Sequence, residues 1–165
     1  MPPDRYLGHI KGVMDNPKED DLKRRLGILL KPFPDATEFL GLYNAYVHSI
    51  DDLVDSEEYR SDFENVLRTA HLASACFSSN FWRGYAHILL PIEQAANNTY
   101  GDSVKFERSG EEWKEKAADT LRHSGIEVYL KVFEICCGRE VLREMSSEIR
   151  EHTYVTHHDS EHKPI

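Results

Sequence analysis

Strand signals are almost missing from this chain. No run alternates apolar and polar residues between turn dipeptides, so a sheet has nothing to build from. Basic residues are in short supply: 20 Lys and Arg stand against 29 Asp and Glu, a net charge of −9. That balance excludes a protein built to neutralise a nucleic-acid backbone, which needs clustered cations. No apolar run approaches the ~18 residues of a membrane span, so no membrane partner is expected. The first residues, Met1 to Tyr6, lack the apolar stretch of a signal peptide. Cysteine counts three, Cys76 and the neighbours Cys136 and Cys137, an odd number without disulfide spacing. Buried, inert thiols in a reducing, cytoplasmic setting are the expectation. No segment repeats at a fixed period.

What the chain has is helix. Its 165 residues are 40% hydrophobic and 30% charged, enough for one domain to bury a core without staples. Asn16 followed by Pro17 and Glu19 predicts an N-cap, a proline at the first helical position and an acidic first turn. Pro32 and Pro34 end that helix. Asp35 to Glu38 has the spacing of a capping box and opens a second helix that runs to Asp55. Ser61 to Glu64 is another box, predicting a helix with Phe63, Val66, Leu67, Ala70, Ala73 and Phe77 facing inward. Ser78, Ser79 and Asn80 break it. The next helix carries Phe81, Tyr85, Ile88, Ile92 and Ala95, with Pro91 predicted to kink it and free the carbonyl of His87.

Residues 97–110, rich in Asn, Ser, Asp and Gly, predict a long loop of the kind that often carries function. Ser109 to Glu112 then opens the longest helix, about 110–137, which Gly138 stops. A last helix covers 139–152. The pattern predicts an all-α bundle or orthogonal array of five to six helices over residues 1–152. A polar, mobile tail is expected over 153–165, with His157, His158 and His162.

Two polar stripes carry the chemistry. On the second helix, Asn44, His48, Asp51 and Asp55 share one face at 100° per residue. That face borders the apolar seam Phe39, Tyr43, Tyr46, Ile50 and Leu53. Asp51, Asp52 and Asp55 repel one another and oppose the helix dipole, so they are either fully solvated or offset by a cation. Carboxylates so placed suit a hard divalent ion. On the long helix, Asp119, His123 and Glu127 recur every four residues, and the apolar second half of that helix should bring them to a partly enclosed position. A local ladder along the helix explains them equally well.

Asp52-x-x-Asp55 and Glu112-x-x-Glu115, the latter followed by Asp119, resemble the paired acidic motifs of all-α nucleotide pyrophosphohydrolases, the MazG and dimeric dUTPase group. Asp51-Asp52-Leu-Val-Asp55 also resembles the first D-D-x-x-D motif of isoprenoid synthases. Both resemblances imply Mg²⁺, or Mn²⁺ in its place, gripping a phosphoanhydride. The ligands would be Asp51, Asp52, Asp55, Glu112, Glu115 and Asp119. His123 or Glu127 would act as general base, and Lys116 or Arg122 would contact phosphate. The expectation is a metal-dependent hydrolase of a nucleotide or other phosphorylated small molecule, forming a homo-oligomer as small bundles of that group do. The rival expectation is a non-enzymatic helical adaptor, inhibitor or ligand-binding protein that needs no metal, in which Glu93, Asn97 and Asn98 would matter as much as the aspartates.

Overall fold

A computed structural model describes residues 17–161, with side chains from residue 21 to residue 153. Among them lie eight α-helices, one 3-10 turn and no strand. They are α1 (Pro17–Leu30), α2 (Pro34–Asp55), α3 (Glu57–Ser61), α4 (Phe63–Ser78), α5 (Asn80–Glu107), α6 (Glu112–Arg122), the turn His123–Gly125, α7 (Ile126–Cys137) and α8 (Arg139–Glu161). The protein is the all-α helical array that the missing strand signals predict. There are more elements than expected because α3 is a separate short helix and the predicted 110–137 helix divides in two.

Several ends are where the sequence places them. α1 starts at Pro17, although the capping role of Asn16 lies outside the described residues. Ser79 caps α5: its hydroxyl accepts from Trp82 N–H and donates to the Cys76 carbonyl at 2.8 Å. Gly138 ends α7 with φ +89°, a backbone that L side chains resist. Other ends shift. α2 begins with Pro34 in the first turn after Phe33, and Asp35 sits inside that turn rather than capping it. Proline needs no N–H partner there, so it displaces the capping box. α4 is capped by Asp62, whose Oδ1 accepts from Glu64 N–H at 3.0 Å, one residue after the predicted Ser61.

The predicted loop 97–110 does not form. α5 runs through Pro91 and on to Glu107. Its polar residues are satisfied along the helix itself: Asn97 donates to Glu93, Thr99 to the Ala95 carbonyl at 2.9 Å, and Ser103 to the Tyr100 carbonyl at 2.6 Å. α6 folds back on this half of α5 in the broadest helix–helix contact of the fold. Tertiary packing therefore overrides weak propensity. The turnaround is short and uses Gly110 at φ +72°. α8 likewise passes the predicted end at residue 152 and reaches Glu161, since no Gly or Pro interrupts it. The tail histidines His157, His158 and His162 have side chains outside the described residues.

The core is aromatic around α2. Phe39 and Tyr43 are essentially fully buried, and Phe39 stacks on Phe81 at 5.7 Å and meets Trp82 at 5.9 Å. Phe77 meets Trp82 edge-on at 4.7 Å. Leu22 and Leu30 of α1, Leu89 of α5, and Met145 and Ile149 of α8 complete it. α7 is central, as its two-sided apolar pattern predicts: Val128, Leu130, Val132 and Phe133 are buried, and it touches α1, α2, α5 and α8.

α4 departs from its predicted orientation. Its buried residues are Asn65, Thr69 and Cys76, while Phe63 is 69% and Val66 42% exposed. Between α2 and α4 the end near Phe77 is apolar, with Tyr46 edge-on to Phe77 at 5.4 Å, and the other end is held by hydrogen bonds. Ser49 of α2 bonds the Thr69 hydroxyl, Thr69 donates to the Asn65 carbonyl at 3.0 Å, and Asn65 Nδ2 donates to the Tyr59 carbonyl at 3.0 Å.

Candidate functional site

The acidic end of α2 is met by α5 and α6. Asp51, half-buried, accepts a hydrogen bond from the Tyr100 hydroxyl at 2.7 Å. Burial and then that carboxylate hold the Tyr100 phenol well above its ordinary pKa. Arg122, the last residue of α6, has a side chain only 14% exposed and reaches Glu107 Oε2 at 2.7 Å and Asp55 Oδ1 at 3.4 Å. Asp55's carboxyl is raised above the usual range, by burial first and then by the charge of Asp51, with Glu107 and Asp52 adding to it and Arg122 opposing. The edge is thus a cluster of carboxylates around one guanidinium.

The structure brings Asp51 and Asp55 together with Tyr100, Glu107 and Arg122, while the other predicted ligands stand exposed on α2 and α6. Asp52 is exposed. Glu112 is 83% exposed and pairs with Lys116 at 2.6 Å along its own helix. Glu115 and Asp119 are exposed on α6. Of the predicted Asp119, His123 and Glu127 stripe only His123 is partly enclosed, its Nε2 lying out of solvent, because the 3-10 turn at His123–Gly125 ends the helix and leaves Asp119 and Glu127 exposed. His123 is half-buried in that turn, and Glu127 points to solvent and pairs with Arg150 of α8 at 2.6 Å. The turn is tied down where Ser124 donates to the Ala96 carbonyl at 2.8 Å. Gly125 faces the Tyr43 ring. Among the described residues, no three His, Cys, Asp or Glu side chains are grouped to hold a metal ion.

Tyr100 and Glu107 were hidden by reading residues 97–110 as a loop. A signal existed: Glu93, Ala96, Tyr100, Ser103 and Glu107 continue the helical spacing of three and four. Glu93 itself is 6% exposed. Burial raises its carboxyl, and the hydrogen bond from Asn97 opposes this. Its charge adds to burial in raising the hydroxyls of Tyr43 and Tyr46. Cys76 is pushed up to about 12 by burial and then Glu93, so it is a packed thiol rather than a nucleophile. All three cysteines are free.

A second feature lies between α5, α7 and α8. It is an open groove of about 600 Å³. Pro91, Ile92, Ala95, Leu130 and Leu142 make its apolar surface. Lys131, Arg143 and Arg150 line it together with Glu127 and Glu134, so it holds more cations than carboxylates in a chain whose net charge is −9. Lys131 pairs with Glu134, and Arg150 with Glu127. Arg143 is 75% exposed and has its nearest carboxylate, Glu140, at 3.9 Å. A more polar hollow of about 530 Å³ sits beside α3, lined by Ser56, Glu58, Tyr59, Ser61, Asp62 and Asn65. No helix among the described residues is long and apolar enough to cross a membrane. Compared with protein-family models, curated proteins and solved structures, the chain matches none.

Proposed function

We propose that this chain is a non-enzymatic binding protein that takes an acidic amphipathic helix of a partner into the α5–α7–α8 groove. The observation that carries the reading is the groove's chemistry, an apolar floor lined by three cations against two carboxylates in an acidic protein. Along α5 the groove's lining runs from Pro91 to Thr99, with Ile92, Ala95 and Thr99 at spacings of three and four. At a rise of 1.5 Å per residue that track is about 12 Å long, a little over two turns of a partner helix. Helix-in-groove recognition uses such rows of apolar anchors, with flanking charge setting orientation.

A second reading, a Mg²⁺- or Mn²⁺-dependent hydrolase of a phosphoanhydride, is favoured by Asp55. Burial first, and then the charges of Asp51, Glu107 and Asp52 against that of Arg122, raise its carboxyl, and a divalent cation would relieve the part due to repulsion.

One titration separates the two. A labelled, 15-residue acidic amphipathic peptide is added to the protein in EDTA and in millimolar Mg²⁺, with a basic peptide of equal hydrophobicity as control. The binding reading expects anisotropy to rise with the acidic peptide alone, equally with and without metal. Ile92→Glu and Arg143→Glu should each weaken it about tenfold or more. No peptide binding, together with a melting midpoint raised by Mg²⁺ and raised further by a nucleoside triphosphate, replaces this reading with the hydrolase.

A further inference from the structure

Among the described residues, α4 presents an apolar stripe that no other element covers. Phe63, Val66, Leu67 and Ala70 fall at i, i+3, i+4 and i+7, one face of the helix. Phe63 and Val66 are exposed at 69% and 42%, Ala70 is exposed and Leu67 is half-buried. The helix's inner face is spent on Asn65, Thr69 and Cys76, so the stripe has no role in the core. Beside it, on the solvent side, stand Glu64, Arg68 and His71, all exposed. Among the described residues neither Glu64 nor Arg68 forms a side-chain ion pair. α4 contributes no residue to the α5–α7–α8 groove.

We propose that this stripe pairs with the same stripe of a second copy, α4 against α4 in antiparallel order, to form a two-fold homodimer. Self-complementarity selects this occupant. With the axis between residues 66 and 67, Phe63 lies over the second copy's Ala70, and Val66 over its Leu67, large against small at each end. In an antiparallel pair, like flanks meet. The solvent-side flank of one copy therefore meets the solvent-side flank of the other, and Glu64 of each faces Arg68 and His71 of its mate. Those contacts occur twice, as an isologous interface requires. A parallel pair would instead press the Glu64 flank of one copy towards the body of the other. Antiparallel order also opposes the two helix dipoles favourably. Four residues on one helix cover less than the ~800 Å² per partner of a standard interface, so the dimer is a weak, concentration-dependent one.

Sedimentation velocity on the full chain, from about 5 to about 500 µM, reads the association directly. The expected result is a weight-average sedimentation coefficient that climbs from monomer towards dimer. Val66→Glu is expected to raise the dissociation constant about tenfold or more while circular dichroism stays unchanged, because Val66 is already in water. The charge arm identifies the occupant. Arg68→Glu alone sets like charges against each other and weakens the dimer. Glu64→Arg combined with Arg68→Glu in the same chain restores it, which only a surface that meets its own copy can do. A monomer throughout the range, a Val66→Glu variant that associates like the parent, or a double swap no better than the single one each overturns the proposal.

Discussion

Arg122 is the residue whose removal tests the account of the acidic edge most directly. Its guanidinium lies 2.7 Å from Glu107 and 3.4 Å from Asp55, and its charge opposes the burial and the carboxylate repulsion that raise the Asp55 carboxyl. Arg122→Met keeps most of the stem that packs against the protein and deletes the charge. The two carboxylates are about half exposed, at 48% and 50%, so solvent screens each pair. Screened pairs are each worth up to about 1 kcal/mol, and together they predict a loss of about 1–2 kcal/mol at neutral pH. For a chain of this size that is a fall of about 2–8 °C in melting midpoint.

The pH dependence has a definite sign. A carboxyl raised in the folded state binds its proton more tightly there than in the unfolded chain. It contributes stability below the unfolded carboxylate pKa and loses it as pH rises through the folded value. Removing Arg122 raises Asp55 further, so the deficit of the variant should be largest above the carboxylate range and should shrink as pH falls and Asp55 protonates. Thermal melts monitored by circular dichroism at several pH values and at low and high salt give the answer. An unchanged midpoint at neutral pH refutes the electrostatic role. A loss of equal size at acidic and neutral pH, insensitive to salt, assigns the effect to packing instead.

Two further predictions concern the interior and the corrected helix. Thr69→Val strands the Ser49 hydroxyl in a buried site and should cost about 1–3 kcal/mol, whereas adding Ser49→Ala to it should recover part of that loss, because two apolar groups no longer need each other. Strictly additive losses in chemical denaturation would show that the two hydroxyls are not coupled. Gly101 lies inside α5 with open space where a Cβ would stand, so Gly101→Ala should stabilise the protein by roughly 0.5–1 kcal/mol. A neutral or destabilising effect would argue that residues 97–107 are not helical in solution.

Periodicity made the helices legible, and composition made the fold class legible, because both are local properties. The break at Ser78 to Asn80, where Ser79 caps α5, and the stop at Gly138 follow from single residues with strong local preferences. What failed were judgements about the other side of a contact. Asn97 to Ser103 look like loop when their side chains are imagined in water, yet each of the bonds they make along α5 is available to a helix once α6 lies on it. The carboxylates of α2 were legible as a cluster, but their partners Tyr100 and Glu107 lay in the misread segment, and the balance of charge around Arg122 could not be drawn without them.

α4 marks the limit most clearly. Its sequence shows an apolar stripe, and a stripe read alone faces the core by default. The fold instead turns Asn65 and Thr69 inward because Ser49 and the Tyr59 carbonyl wait there with hydrogen bonds. A helix of sixteen residues can satisfy its polar face inside only if its apolar face finds cover elsewhere or stays wet. An exposed Phe63 beside Val66 is therefore evidence about the protein's surroundings rather than about its core, and the surroundings most available to any folded chain at rising concentration are other copies of itself.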